Sequence, residues 1–456
     1  MAGEPRVAGR SLKIALAAIA ASLPLAVATM VSPVEAAKDD TTLLSLAKVI
    51  PGGKVNADVD DFSISLSANG RFMAFTTNAT NLDPNDTNSD PDIYVRDTLL
   101  DTTTLVTPGD GFDDAAGNEP SISDDGQKVA FVAFDDIDPD DNNGENDVYV
   151  ADLSTPAPTL ELVSRPTGTG AAAPAVPEGV LFANPEISGD GSAVAFGSLD
   201  NSLDPTNDSD TLLGYFYSGD IFVRDLDTDT TELVSRNATV DGNRASYNPS
   251  IDTDGSHVSF DTQSSNLDPG DSDEERDVYV RDRTGNTLTL ASRADGAAGA
   301  KANDLAVGSS LSGDGQAVSY VSAATNLDAA DSDATLDVYL RNIVGDDTEL
   351  ISRADGAAGD KGNKASQNPS LSADGNRVAF ISAAHNLDPA MTTPGNTNFA
   401  YVRDLNTNTT RLQSRADGGS GAIANDGVRS ITMSAGGVAI GFASKSTNLD
   451  PGDTDT

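Results

Sequence analysis

Aspartate and asparagine recur at fixed offsets in loops that carry Asn-Leu-Asp-Pro or a close variant. Counting each loop from its first aspartate, carboxylate or amide side chains return at positions 1, 4, 6 and 10. The sets are Asp83, Asp86, Asn88 and Asp92; Asp138, Asp141, Asn143 and Asp147; Asp268, Asp271, Asp273 and Asp277; and Asp328, Asp331, Asp333 and Asp337. Calcium takes about six to eight hard oxygens, and alternate acidic residues with nearby backbone carbonyls supply that chemistry. The loops lack the fixed glycine and terminal bidentate glutamate of a D-x-D-x-D-G site. The same residue types also close turns by accepting hydrogen bonds from nearby N–H groups. Both readings stand at the level of sequence.

Position 10 has a second candidate partner. In the hairpin from Asp277 to Arg293 the first and last residues are expected as cross-strand neighbours, and Asp220 with Arg236 and Asp337 with Arg353 repeat the spacing. An exposed pair of this kind contributes roughly 0.2–1 kcal/mol. The expected metal ligands are therefore the residues at positions 1, 4 and 6. The sixth loop, residues 386–404, carries Met391, Thr393 and Phe399 where positions 4, 6 and 12 of the other loops carry polar or strand residues, and has almost no acid, so a metal is not required to form the element.

The elements that position these loops are repeated. A phrase with Ser or Asp, a tight turn and then Val-Ala-Phe or its equivalent ends at Phe75, Phe131, Phe196, Phe260, Tyr320, Phe380 and Phe442. Its glycines are Gly70, Gly126, Gly191, Gly255, Gly315, Gly375 and Gly437; six follow Asn or Asp and the last follows Gly436. Such dipeptides admit the positive φ of a tight hairpin turn. Each phrase predicts two antiparallel strands, followed by the Asp-rich loop, a third strand such as DVYVRD (277–282) and a fourth such as LTLASR (288–293). Small residues in the second strand, Ala130, Ala195, Ser259, Ser319 and Ala379, leave room for a neighbouring sheet to approach.

Sheets with apolar residues on both faces cannot bury themselves singly, and radial stacking buries them while protecting their edges. The expected fold is all-β: a β-propeller of four-stranded antiparallel blades. Seven blades are expected, with the N-terminal segment TTLLSLA (41–47) closing the ring as a fourth strand of the last, incomplete blade. A six-bladed ring with an extra hairpin is the alternative. The Asp-rich loops and the connections between blades are expected on one face, the likelier ligand surface.

The phrases S-x-D-G-x-x-V-A-F and D-V-Y-V-R-D resemble the TolB-like, WD-related PD40-type propeller repeats of secreted bacterial proteins, over roughly residues 41–456. The resemblance implies the fold. It does not fix a function, because such repeats serve binding proteins, envelope factors and propeller domains attached to peptidases. The arginines of Val-Arg-Asp, Arg96, Arg224, Arg281 and Arg403, are expected to hold a carboxylate within their own blade.

Composition limits the partners. The chain of 456 residues carries 71 acids against 28 Lys plus Arg, a net charge of −43, which repels nucleic acid and anionic lipid. Cations or basic partners are the expected company: a protein or extracellular polymer ligand, no nucleic acid, no membrane once the leader is gone, and a monomeric chain. There is no cysteine, which removes disulfides, thiolate metal sites and a cysteine nucleophile. Arg6, Arg10 and Lys13, the apolar run Ile14–Val31 and Val34-Glu35-Ala36 read as a signal peptide over residues 1–36, ahead of a propeller over 37–456. An uncleaved anchor is the alternative. The expected location is secreted, periplasmic or cell-surface.

No G-x-S-x-G, S-x-x-K or H-E-x-x-H constellation occurs, and His257 and His385 sit at unlike places in the repeat. Paired carboxylates could hydrolyse a glycoside, but tryptophan is absent and aromatics are 5%. The expectation is a non-enzymatic binding or scaffold module with calcium in its rim loops. The alternative is an extracellular hydrolase or lyase that uses acidic rim residues on a polymer.

Overall fold

The computed structural model describes residues 29–30, 46–47, 53–54, 56–57, 59–87, 89–107, 119–133, 137–138, 141, 144–155, 157–169, 184–200, 202–204, 219–391, 395–416 and 421–449. Alternating apolar residues and tight turns produce six four-stranded antiparallel meanders. The first blade comprises Val59–Leu66, Phe72–Thr77, Asp92–Asp97 and Thr102–Leu105; the fourth comprises Ser246–Ile251, His257–Thr262, Asp277–Asp282 and Thr287–Leu290. The last two full blades begin at Ala306 and Ser366 and end at Leu350 and Leu412. Second and third strands pair over six residues, so the Phe or Tyr of one always faces the Tyr or Phe of the other. Their rings stack at centroid separations of 5.8–6.1 Å in all six blades.

The core lies between blades. One cluster joins Ala130, Val132, Val148 and Val150 of the second blade to Ile187, Val194 and Phe196 of the third, and another joins Ala195 and Val223 to Ile251, Val258 and Phe260. The small second-strand residues thus sit where the sequence places them, at blade-to-blade contacts. Each sheet buries its two faces on two neighbours, which is why a single repeat cannot be stable alone.

The ring is fastened at the hairpin turns. Ala68 N donates to Asp124 O, Asp124 N to Gly189 O, Asp190 N to Thr253 O, Thr253 N to Gly313 O, Gly313 N to Ala373 O and Ala373 N to Ala435 O, at 2.8–3.1 Å. Gly436 N then returns to Ala68 O at 2.8 Å and closes the circuit. This proximity explains two of the glycines. Gly70 and Gly255 have φ of +68° and +71°, and a methyl group on them would stand 2.5 Å from Ala439 Cβ and 2.9 Å from Ala193 Cβ.

The seventh repeat enters this circuit as a hairpin, Val428–Met433 with Ala439–Ser444, between the sixth blade and the first. Six complete blades with an added hairpin is the alternative drawn from the sequence. The expected closing strand is corrected. Leu46–Ala47 pairs locally with Gly53–Lys54, while Thr29–Met30 pairs with the outer edge of Ala439–Ser444, in third rather than fourth position. Residues 41–45 and most of the expected signal peptide lie outside the described residues. No helix among the described residues is long and apolar enough to cross a membrane, which does not bear on β-barrels.

Candidate functional site: the Asp-rich rim loops

The first aspartate of each loop makes the turn. The N–H of the position-4 residue donates to the carbonyl of position 1 at Asp83, Asp138, Asp268, Asp328 and Asp388, at 2.9–3.2 Å. The side chains of Asp83, Asp268, Asp328 and Asp388 also accept an N–H two residues on, at 2.6–3.0 Å. This is the turn-capping role that short acidic side chains perform. In the sixth blade Asp388 also accepts from Leu412 N at 2.9 Å, tying the loop to the fourth strand.

Positions 4 and 10 are buried and share a division of labour. One oxygen of position 4 receives a tyrosine hydroxyl from the third strand: Tyr94 to Asp86, Tyr149 to Asp141, Tyr279 to Asp271 and Tyr339 to Asp331. One oxygen of position 10 receives a Ser or Thr hydroxyl from the end of the fourth strand: Thr107 to Asp92, Ser164 to Asp147, Ser292 to Asp277 and Ser352 to Asp337. The expected Asp–Arg pairs are not formed. The register of Tyr279 opposite Leu290 puts Ser292, not Arg293, beside Asp277, and a shift of one residue sends the arginine to the other face. Arg293 donates instead to Ala297 O, Arg353 lies 3.7 Å from Asp328, and Arg236 pairs with Asp241.

The remaining oxygens converge on a cation that belongs to the chain. In the fourth blade, Lys301 Nζ lies 2.5 Å from Asp277, 2.9 Å from Asp273 and 3.6 Å from Asp271. In the fifth, Lys361 Nζ lies 2.6 Å from Asp337, 3.0 Å from Asp333 and 3.4 Å from Asp331. Both lysines come from the connection to the next blade, so a loop expected to bind metal is stapled to the segment that follows it. Burial pushes Asp277 and Asp337 up to about 6, with the lysine and serine hydrogen bonds opposing the rise. Burial pulls the two lysines down, but their carboxylate partners outweigh it and hold them protonated. These are the two groups of acids among the described residues whose oxygens approach closely enough for one ion. The sequence contains both lysines; it does not show that the connection folds back over the preceding loop.

The sixth blade replaces the whole set. Met391, Phe399 and Ile423 stand at the positions of the two buried acids and the lysine, and they pack together in the core shared by the fifth and sixth blades. The Met391 N to Asp388 O turn bond is kept, and Tyr401 turns its hydroxyl to Ala384 O. Charged and apolar fillings thus support one backbone. Asp83, Asp86, Asp138 and Asp141 occupy the equivalent places in the first two blades; Asn88 and Asn143 lie outside the described residues.

The repeated arginines are internal as well. Arg224 reaches Asp229, with the ion pair at 2.8 Å, and the carbonyls of Pro166 and Gly168 in the preceding connection. Arg341 repeats this with Asp346, Ala294 O and Gly296 O. Arg96 pairs with Asp101, Arg281 with the Asn286 amide, and Arg403 with Asn408 and with Glu349 of the neighbouring blade. The partner lies five residues on, at a turn residue with φ of 51–58°. Arg341 escapes the sequence motif because Leu340 and Asn342 flank it. His257 Nδ1 is 2.7 Å from Asp252 and 2.9 Å from Ser256, so both face the same nitrogen, and Nε2 lies 4.0 Å from Asp282.

One acid departs from its repeat. Ser65, Ser121, Ser250, Ser310 and Ser370 on the innermost strands accept an N–H from the next blade, and Glu186 takes the equivalent place in the third. Burial pushes the Glu186 carboxyl up to about 8, opposed by the Ser250 hydroxyl.

No family model matches the sequence, and no curated protein is similar to it. Among solved structures, the fold is similar to TolB from Acinetobacter baumannii, at 16% identity and a TM-score of 0.39, covering 70% of this chain and 58% of that one. The chain therefore spans little more than half the length of that TolB. A putative TolB from Agrobacterium tumefaciens is similar at 16% identity and a TM-score of 0.39, with 75% and 94% covered. An oligogalacturonate lyase from Vibrio parahaemolyticus is similar at 13% identity and a TM-score of 0.47, with 80% of each chain covered.

The lysine-centred reading predicts a large loss from one substitution. Lys361→Met should lower unfolding free energy by about 3–5 kcal/mol in urea titrations, because it leaves two buried acids without their cation. Adding Asp331→Met and Asp337→Phe, with Ile at 361 as in the sixth blade, should restore most of it. An unchanged urea midpoint for Lys361→Met contradicts the assignment.

Proposed function

We propose that this propeller, a fold it has in common with TolB, is a secreted, acidic, non-enzymatic binding or scaffold module for a basic protein or extracellular polymer. The observation that carries the reading is that the repeated acids do the same internal work in blade after blade. A catalytic centre needs a departure from the repeat that gathers an acid, a base or a nucleophile. Among the described residues of the rim loops, the departure at Met391, Phe399 and Ile423 is apolar. The net charge of −43 favours a basic partner, and the leader-like run Ile14–Val31 supports export to the periplasm, cell surface or medium. Screened against polysaccharide, peptide and phosphoester substrates, the protein should be inert. Turnover abolished by a single rim Asp→Asn change overturns the reading.

Calcium is proposed at the two acid groups of the fourth and fifth blades, Asp271 with Asp273 and Asp277 and Asp331 with Asp333 and Asp337, where it would compete with Lys301 and Lys361. The fourth and fifth blades bring their own ammonium group to the buried acids, and the sixth has none to neutralise. A divalent cation held by hard oxygens is the free-ion counterpart of Lys301 and Lys361. Calcium at 1,000 times its dissociation constant would stabilise the fold by about 4 kcal/mol. The melting temperature should rise in calcium relative to chelator at matched ionic strength, and the rise should vanish in an Asp273→Asn, Asp333→Asn variant. Equal melting temperatures for the unaltered chain exclude the ion.

A further inference from the structure

Glu186 interrupts a ring of hydroxyl groups. The innermost strands surround the propeller axis, and one position on each brings a side chain to the gap between blades. Ser121 Oγ accepts from Ile187 N and Ser250 Oγ from Leu311 N, both at 3.1 Å, and Ser65, Ser310 and Ser370 repeat the contact. Neighbouring blades cover both faces of these strands, yet Ser65, Ser121, Glu186, Ser310 and Ser370 remain partly exposed. The solvent that reaches them therefore fills a lumen along the axis. Among the described residues, Glu186 has one hydrogen-bond partner, the Ser250 hydroxyl, which donates to Oε1 at 3.4 Å, and no ion-pair partner. The strands packed on it are Ser121–Ile122, Lys128–Ala133, Ala193–Ser198 and Ser246–Ile251. Their one charged residue, Lys128, donates to Gly191 O at 2.8 Å, at the hairpin turn. Beyond them, Glu119 precedes the second-blade strand, and Asp261 is already held by Asn248, Gly308 N and Arg276.

We propose that the axial lumen at Glu186 is a binding site for a primary ammonium group, carried by a free amine or by the lysine side chain of a partner. An ammonium group brings one charge and three N–H donors. The Glu186 carboxylate supplies the opposite charge. The Ser121 and Ser250 oxygens flank it, each with a lone pair left after accepting its backbone N–H. Calcium, which takes about six to eight hard oxygens, is poorly matched to a single carboxylate. The inference goes beyond the proposed partner, because a free amine satisfies the same atoms. Burial pushes the empty carboxyl up to about 8, so it ionises as the ammonium enters and its proton leaves to solvent. Affinity therefore rises about 10-fold per pH unit below that value and levels off above it. The ligand amine, with an ordinary pKa of about 10.4, stays protonated throughout, and exposed aspartates, ionised over the same range, cannot produce this profile.

Isothermal titration calorimetry of the full chain would measure the binding of n-butylammonium and of an end-capped Gly-Lys-Gly peptide between about pH 6 and about pH 9, at physiological ionic strength. One saturable site per chain is expected, with the stated pH profile. Glu186→Gln and Glu186→Ser should each weaken binding at least about 10-fold at the upper pH and flatten the profile, the loss of a charged hydrogen-bond partner. Serine already holds the equivalent position in five other blades, so that variant keeps the test valid if the glutamine form misfolds. Binding of the amine alone assigns the site to free amines, and binding of both probes assigns it to any ammonium side chain that reaches the axis. No saturable binding of either probe, a pH-independent affinity, or an affinity unchanged in both variants overturns the proposal.

Discussion

The structure depends on a circuit of seven backbone hydrogen bonds that link one hairpin turn to the next and return from Gly436 to Ala68. Each bond requires the turns to approach within a backbone's width. At Gly70, Gly126, Gly255 and Gly315 the Asn-Gly and Asp-Gly dipeptides meet that requirement because a Cβ there would strike the neighbouring blade. The packing of blade on blade follows from this spacing: small residues on one second strand receive the branched and aromatic residues of the next. The circuit also gives the seventh hairpin its role. Two strands suffice to carry the turn and close the ring.

A second constraint acts at the opposite ends of the blades, where the loop between second and third strands must bury two side chains under the connection to the next blade. The chain fills this volume in different ways. Two blades place two carboxylates there and neutralise them with Lys301 or Lys361; another places Met391 and Phe399 there and covers them with Ile423. Buried charge is tolerable only with its counterion, and an apolar filling needs none. Between the fifth and sixth blades the two acids and the lysine are replaced together, which a solvated acidic surface would not require. The buried aspartates are consequently framework, and the electrostatic field that reaches a partner comes from the exposed acids.

The fold was largely legible in the sequence because it is written several times. Seven turn glycines, six third strands and a regular aromatic position leave few arrangements of strands. The ends were not legible: TTLLSLA has the composition of a fourth strand, but nothing in composition says whether an edge strand pairs across the ring or, like Leu46–Ala47, with the residues next to it. At the rim, spacing identified the right aspartates and the wrong partners. Asp277 and Arg293 differ from a cross-strand pair by one residue, and only the register, fixed by Tyr279 opposite Leu290, shows that Ser292 is the neighbour. Lys301 lies 24 residues beyond Asp277, and a contact made by a returning connection has no periodic signature.

Amide hydrogen exchange tests the closed circuit most directly. The amides of Ala68, Asp124, Asp190, Thr253, Gly313, Ala373 and Gly436 belong to surface turns, and turn amides without partners exchange through local fluctuation. If the circuit holds the ring together, these amides exchange only with the slowest, globally unfolding core, and Gly436 is as protected as the six others. Rapid exchange at Gly436 and Ala68, with the core still protected, would show that the ring is open at the seventh hairpin and would contradict the account.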